Sequence, residues 1–163
     1  DGRPFVGALF IGLMIERGRA KVIEYNCRFG DPEIQPVLFG LQSPIVPALH
    51  AAARGRLQPP GVPIAAMAAA SVVIAAGGYP ERVAPGAAIR GLEAASALPD
   101  VKVFHAGTGR GPEGWVTAGG RVLGVCARGP DLRAAIERAY AACARIEVVG
   151  GQHRRDIGAR ALV

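Results

Sequence analysis

The sequence predicts an α+β fold, and three observations predict it. Two apolar stretches near the start are joined by Glu16-Arg17-Gly18-Arg19, a short polar segment with a glycine, which is the pattern of an antiparallel hairpin. The second half holds short strand-like runs separated by Gly and Pro turns. Among them stands one amphipathic helix opening at Asp131. Strands in runs, with helices set apart from them, build α+β modules rather than parallel sheets.

Phe5 to Ile15 (FVGALFIGLMI) is apolar at successive positions, so a strand there is expected to be covered on both faces. Ala20 to Arg28 is the returning strand. Side chains alternate faces along it, which puts Ile23, Tyr25, Cys27 and Phe29 toward a core and Glu24, Asn26 and Arg28 on the other side. Gly30-Asp31-Pro32 breaks the strand. Asp31 suits a helix cap, with Pro32 at the first helical position and Glu33 in the first turn of a helix reaching about Leu41. Ser43 is the expected cap of a second helix that has Pro44 at its first position and ends near Ala53. Arg56 to Pro63 (RLQPPGVP) is the expected linker between domains.

Beyond the linker, SVVIAA reads as a strand ending at Gly77-Gly78-Tyr79-Pro80. Short strands are expected at Ala87–Gly91 and Val101–His105, with a helical turn around Glu93 to Leu98. Trp115–Ala118 and Arg121–Ala127 flank Gly119-Gly120, which predicts a second two-residue hairpin. After Asp131, Leu132, Ala135, Ile136, Ala139, Cys143 and Ile146 fall on one helical face. The tail, Gln152 to Val163, is basic and ends in a helical turn.

The 163 residues suffice for one ordinary domain, or for a small domain with part of another. The net charge is +6, and Lys21 and Lys102 are the only lysines. The arginines are scattered, with Arg154-Arg155 the only tight pair, and no basic stripe is interleaved with aromatics; no nucleic-acid partner is expected. Cys27, Cys126 and Cys143 have no paired spacing; Cys27 and Cys143 read as small buried hydrophobes, and a disulfide scaffold is not expected. A reducing cytoplasm fits. The longest apolar run, about Ile64 to Ala76, is too short to span a bilayer, so no membrane partner is expected. A start at Asp1 rather than Met suggests a fragment of a longer protein.

Glu24, Asn26 and Arg28 carry the chemistry. Carboxylate and amide oxygens suit a hard cation such as Mg²⁺, which is held by one or two protein oxygens plus substrate phosphates. A guanidinium fork suits phosphate oxygens. A surface ion pair between Glu24 and Arg28 explains the same spacing, so the pattern alone leaves both readings open. The chain has no G-x-x-x-x-G-K-[ST] or G-x-G-x-x-G loop and no clustered zinc ligands.

The stretch VIEYNCRFGDPEIQPV resembles the signature of the phosphoribosylamine–glycine ligase family. GALFIGLM before it, and AAGGYP, VFHAGT, GGRVLGV and RRDIGARAL after it, are similar to that family in order and spacing. The resemblance implies that residues 1–60 are the end of an ATP-grasp domain, an antiparallel sheet with helices, and residues 61–163 a small α+β C-terminal domain. It implies ATP-dependent ligation of glycine to 5-phosphoribosylamine through a glycyl phosphate, giving glycinamide ribonucleotide in de novo purine biosynthesis. Glu24 and Asn26 match the family's ligands for Mg²⁺ or Mn²⁺, through which they bind the nucleotide. Arg28 is the implied catalytic contact to phosphate, of the nucleotide or of the acyl phosphate. Asp31 is implied to hold an ammonium or ribose group of a substrate, although helix capping explains it as well.

The implied partners are glycine, phosphoribosylamine, ATP and the N-terminal part of the same enzyme, without which the chain is expected to be inactive. That loss of neighbours predicts exposed apolar surface on the first strand of the hairpin. Arg154, Arg155 and Asp156 are implied to form a salt-bridge cluster docking the tail onto the ATP-grasp domain, although a solvated basic tail explains them as well, and His105 is expected to make a structural hydrogen bond. Two rivals share parts of the pattern: another ATP-grasp carboxylate–amine ligase, and a non-catalytic stand-alone module.

Overall fold

The structure is a computed structural model and describes residues 2–57 and 66–163. The chain divides into two compact units. The first takes in the described residues up to Ile34 and those from Leu41 to Ala66; the second takes in Gln35–Gly40 and Met67–Val163. Residues 58–63 of the expected linker lie outside the described residues.

The first unit is built on a hairpin of β1 (Phe10–Glu16) and β2 (Arg19–Asn26), paired antiparallel. Arg17 and Gly18 connect them with φ of 50° and 76°, the doubly left-handed turn that matches the natural twist of two strands. Gly12 pairs with Glu24 and Leu13 with Val22, so Ile23 is the extra residue of a bulge. The pair forms a sheet of its own, and the expected cover on both faces is absent among the described residues. Ile15 is 68% exposed, which is the apolar surface the sequence predicts, whereas Ile23 and Tyr25, both 64% exposed, and Phe29 do not face the core expected for them, because no second layer covers that face of the sheet among the described residues. Cys27, expected in a core, is exposed as well. β1 starts five residues later than the apolar run because Phe5–Leu9 finds no strand partner among the described residues. β2 ends at Asn26, so Arg28 stands in a bend beyond the strand.

Both helices near the hairpin begin later than their sequence caps suggest. α1 runs Ile34–Gly40, with Glu33 rather than Asp31 at the cap position and Pro32 before the helix, in a turn whose Asp31-Pro32 peptide is cis. α2 runs Val46–Ala53 from Ile45, leaving Ser43 and Pro44 outside. The reason is the second proline of each segment. A proline costs little only in the first turn, where its missing N–H has no intrahelical partner. Starting at Ile34 and Val46 puts Pro36 and Pro47 there.

The second unit contains β3 (Ala68–Ala75), β4 (Ile89–Arg90), α3 (Leu92–Ser96), β5 (Val101–His105), β6 (Thr108–Gly111), β7 (Gly114–Thr117), β8 (Arg121–Gly129), α4 (Leu132–Cys143) and β9 (Glu147–Val148). A 3-10 turn at Ala159–Ala161 closes the tail. β8 is the middle strand of an antiparallel sheet ordered β3-β8-β5, and α4 packs against β8 and β3. Val72, Val122, Leu123, Val125 and Ala139 are fully buried in one core cluster. Asp131 caps α4 by accepting the Ala134 N–H at 2.8 Å.

The expected hairpin across Gly119-Gly120 does not form. β7 pairs with β6, and both edges of β8 are already taken by β3 and β5. The two glycines instead cross beside Gly107. The Ala118 N–H donates to the Gly107 carbonyl at 2.7 Å, and the Gly107 N–H donates to the Arg121 carbonyl at 2.7 Å. A Cβ on Gly107 would lie 2.7 Å from the Gly119 Cα, a distance that real side chains do not tolerate. Strands, hairpins and segregated helices make the chain a mixed α+β fold.

Candidate functional site

One face of the hairpin gathers the residues that matter. Cross-strand partners share a face, so Phe10 and Asn26, and Gly12 and Glu24, stand together. Gly12 has no side chain, and Glu24 lies across the space this leaves. A Cβ there would meet Glu24 Cγ at 3.0 Å and Oε1 at 3.7 Å. Glu24 is exposed and Asn26 half-buried. The Phe10 ring presses on Gly30, where an added Cβ would lie 2.9 Å from two ring carbons and would also collide with the Glu33 carboxylate. The turn at Gly30–Glu33 is thereby brought to the same face as Glu24 and Asn26.

Arg28 is placed differently from its sequence position. Off the strand and exposed, its Nη1 donates to the neighbouring Phe29 carbonyl at 2.8 Å. Among the described residues no ion pair joins it to Glu24, so the surface-pair explanation of the E-x-N-x-R spacing has no counterpart in the structure. Asp31 sits in the turn that follows. Glu24, Asn26 and the turn carrying Asp31 are grouped by the hairpin; Arg28 is near them in sequence and turned toward its own backbone.

The donor set fits a hard divalent cation. Glu24 and Asn26 are two residues apart on one strand face and offer oxygen atoms, the donors that Mg²⁺ and Mn²⁺ prefer. Among the described residues no group of three or more His, Cys, Asp and Glu could hold a metal by itself. Two protein oxygens completed by phosphate and water is the arrangement characteristic of Mg²⁺ bound with a nucleotide. The bare Gly12 backbone beneath Glu24 is what a bulkier residue would fill. Sequence reasoning missed this part of the site, along with Phe10 and Gly30. The signal available was the glycine in the middle of an otherwise β-forming run.

Elsewhere, His105 Nδ1 is 3.0 Å from Thr108 Oγ1, and its ring lies 4.2 Å from that of Trp115, whose ring also carries Arg110 at 3.7 Å. In the tail, Arg154 binds Asp156 through two hydrogen bonds of 2.9 and 2.6 Å. That contact holds the Asp156 carboxyl below its ordinary range and raises Arg154. The tail is tied to α4 by Tyr140, whose hydroxyl donates to the Arg154 carbonyl at 2.9 Å and accepts from the Ile157 N–H at 3.0 Å.

The chain is 52% identical to the phosphoribosylamine–glycine ligase of Phenylobacterium zucineum, over 99% of its own length and 38% of that protein. It is 50% identical to the chloroplastic phosphoribosylamine–glycine ligase of Arabidopsis thaliana, over 99% of its length and 31% of that protein. It therefore spans well under half the length of these curated relatives. A crystal structure of phosphoribosylamine–glycine ligase from Thermotoga maritima superposes with a TM-score of 0.76 at 31% identity, covering 91% of this chain and 36% of that one. N5-carboxyaminoimidazole ribonucleotide synthetase from the same organism shares the fold alone, with a TM-score of 0.58 at 17% identity, covering 88% of this chain and 37% of that one. The family model for the ATP-grasp (A) domain of phosphoribosylglycinamide synthetase matches residues 1–34, and that for its C domain matches residues 69–160. The two domain models fall in order along one chain, and the C-domain match alone takes in more than half of it: the chain belongs to the phosphoribosylglycinamide synthetase family.

Proposed function

We propose that this chain is the C-terminal part of an ATP-dependent ligase that joins glycine to 5-phosphoribosylamine, in the cytoplasm and within purine synthesis. The observation that carries the reading is the pairing of Glu24 over bare Gly12, beside Asn26, in a chain 52% identical to a phosphoribosylamine–glycine ligase along nearly all of its length. Residues 1–60 are assigned to the end of the ATP-grasp domain and 61–163 to the C-terminal domain, in keeping with the two family matches. The remaining partner is the N-terminal part of the same enzyme.

Glu24 and Asn26 would hold Mg²⁺ or Mn²⁺ together with the ATP phosphates. Bound there, the ion supplies positive charge against the phosphate oxygens. Glu24 is set for this by its strand, its bulge and the absence of a Cβ on Gly12. In the reaction, a glycine carboxylate oxygen takes the γ-phosphoryl group of ATP and ADP leaves. The amine of phosphoribosylamine then attacks the carbonyl carbon, loses a proton, and inorganic phosphate departs. Arg28, released from the Phe29 carbonyl, can turn its planar fork to the phosphoryl oxygens of either step. Asp31 is assigned to an ammonium or ribose hydroxyl of substrate, for which a carboxylate is a suitable acceptor.

Glu24→Gln in the full-length protein is expected to lower glycine-dependent ADP release by roughly 100-fold or more, the scale of losing one preorganised electrostatic contact. Raising the magnesium concentration should recover part of it. Undiminished turnover at ordinary magnesium would remove Glu24 from the ligand set.

A further inference from the structure

Glu33 stands where a capping side chain of α1 would stand, yet it does not cap. Its backbone is already helical, with φ of −71° and ψ of −32°, whereas a capping residue is extended and turns its side chain back to the helix N–H groups. The side chain is folded over Gly30 instead. A Cβ built on Gly30 would lie 2.5 Å from Glu33 Oε2 and 2.9 Å from Cδ2 and Cε2 of the Phe10 ring. Gly30 is buried, and it is not one of the glycines with positive φ, so its backbone would accept a side chain. The ring, with the carboxylate beside it, is what excludes one.

The hairpin holds that ring in place. Phe10 pairs with Asn26 across β1 and β2. Phe10, Gly12 and Asn26 are the partly buried positions of the two strands, and the other strand positions are exposed. The Ile34 N–H closes the turn by donating to the Gly30 carbonyl at 3.2 Å. All of these residues belong to the first unit. Glu33 is exposed, and among the described residues its side chain makes no hydrogen bond or ion pair. Arg28, the cation of the same segment, gives Nη1 to the Phe29 carbonyl and does not neutralise it. A carboxylate seated by packing, not used as a cap and left without a counter-charge is a receptor for a cationic group.

We propose that Glu33 receives the ammonium group of glycine and that Phe10 is its positioning residue. This rests on the function proposed above, in which the glycine carboxylate meets the γ-phosphoryl group of ATP at the face of Glu24 and Asn26. A single carbon separates the carboxylate of glycine from its ammonium group, so the receptor for that group belongs beside the same face. The Gly30–Glu33 turn is beside it, because the ring that seats the turn belongs to the partner of Asn26. The ribose hydroxyl then falls to Asp31. The contact also selects the substrate, since an acid without the amino group leaves Glu33 unpaired.

The test uses the full-length protein with Glu33→Gln, Phe10→Ala, the two together, and Phe10→Tyr. ADP release is measured with glycine, ATP and phosphoribosylamine varied in turn. Glu33→Gln should raise KM for glycine about 10- to 100-fold, the scale of a lost hydrogen bond to a charged group, with KM for ATP and phosphoribosylamine unmoved. Phe10→Ala should raise KM for glycine by a smaller factor. Phe10→Tyr, which keeps the ring edge against Gly30, should recover most of that loss. Because Phe10 acts through Glu33, the double variant should be no worse than Glu33→Gln alone. If Phe10→Ala does not fold, Phe10→Leu, which keeps apolar bulk without the ring edge, takes its place. An unchanged KM for glycine in Glu33→Gln overturns the proposal, as does a rise shared equally by all three substrates. Effects of the two single variants that multiply in the double variant overturn the positioning role of Phe10. A wild-type protein without glycine-dependent ADP release overturns the functional reading, and the Glu33 assignment falls with it; wild-type turnover matched by Glu33→Gln overturns the assignment alone.

Discussion

Cys143 and Cys126 are buried thiols, and burial raises both; Cys143 is pushed up to about 12, while a contact to Ser71 opposes part of the rise at Cys126. A thiol that holds its proton more tightly in the folded chain stabilises the fold fully below its unfolded value of 9.0. That contribution is lost as pH climbs from there toward about 12. Replacing Cys143 with Ala should therefore flatten the alkaline limb of a stability-versus-pH curve, at the cost of a small cavity at neutral pH. Alkylation of the native protein at pH 8 should modify Cys27 rapidly and spare the other two until the chain unfolds, as mass spectrometry of the labelled protein would show. Sequence periodicity placed Cys143 correctly because a helical stripe repeats over many residues. It misplaced Cys27 because a core on the far side of β2 was inferred from alternation alone, and alternation says nothing about whether a second layer is present. The same limit applies at the site. Glu24 and Asn26 share a face as the two-residue period requires, whereas Arg28 leaves the pattern because the strand stops at Asn26.

At the scale of elements, the parts that local chemistry decides were legible and the parts decided by distant pairing were not. The Asp131 cap and its helix follow from a side chain three residues from the N–H it accepts. Asp131→Ala should lower the stability of the second unit by about 1 kcal/mol, measured by urea unfolding followed at Trp115. No change would mean that the cap hydrogen bond is replaced by water at no cost. Gly119-Gly120 has the composition of a hairpin turn, yet β8 pairs instead with a strand some fifty residues earlier, and nothing in the glycine pair announces that. The ion pairs of Asp100 with Arg128 at 3.0 Å and with Arg138 at 3.1 Å are illegible for the same reason: the three residues lie in the turn before β5, in β8 and in α4, and only the fold assembles them.

Across the whole chain, burial is uneven. Among the described residues every buried apolar side chain lies in the second unit, between Ala70 and Cys143, while the hairpin of the first unit exposes Ile11, Leu13, Met14, Ile15, Val22, Ile23 and Tyr25. Apolar exposure on a sheet that has two strands among the described residues favours association. The chain prepared by itself should bind a hydrophobic dye and self-associate, and changing Ile15 and Ile23 to Lys should reduce both without altering the melting of the second unit. A monodisperse preparation with no dye binding would show that the hairpin is covered in solution. No helix among the described residues is long and apolar enough to cross a membrane.

The seven residues of α1 have a consequence for how such modules are exchanged between proteins. Gln35–Gly40 group with the later unit while the residues on either side group with the earlier one, so no single cut separates the two. A graft that began at Met67 would carry Arg128 without the Phe39 ring 5.1 Å from its guanidinium, and Ala69 without the Gly40 backbone it is fitted to. Chimeras between relatives should therefore fold best when Gln35–Gly40 and Met67–Val163 come from the same parent, and a recombination history that respected this would show those helix residues travelling with β3 and β8.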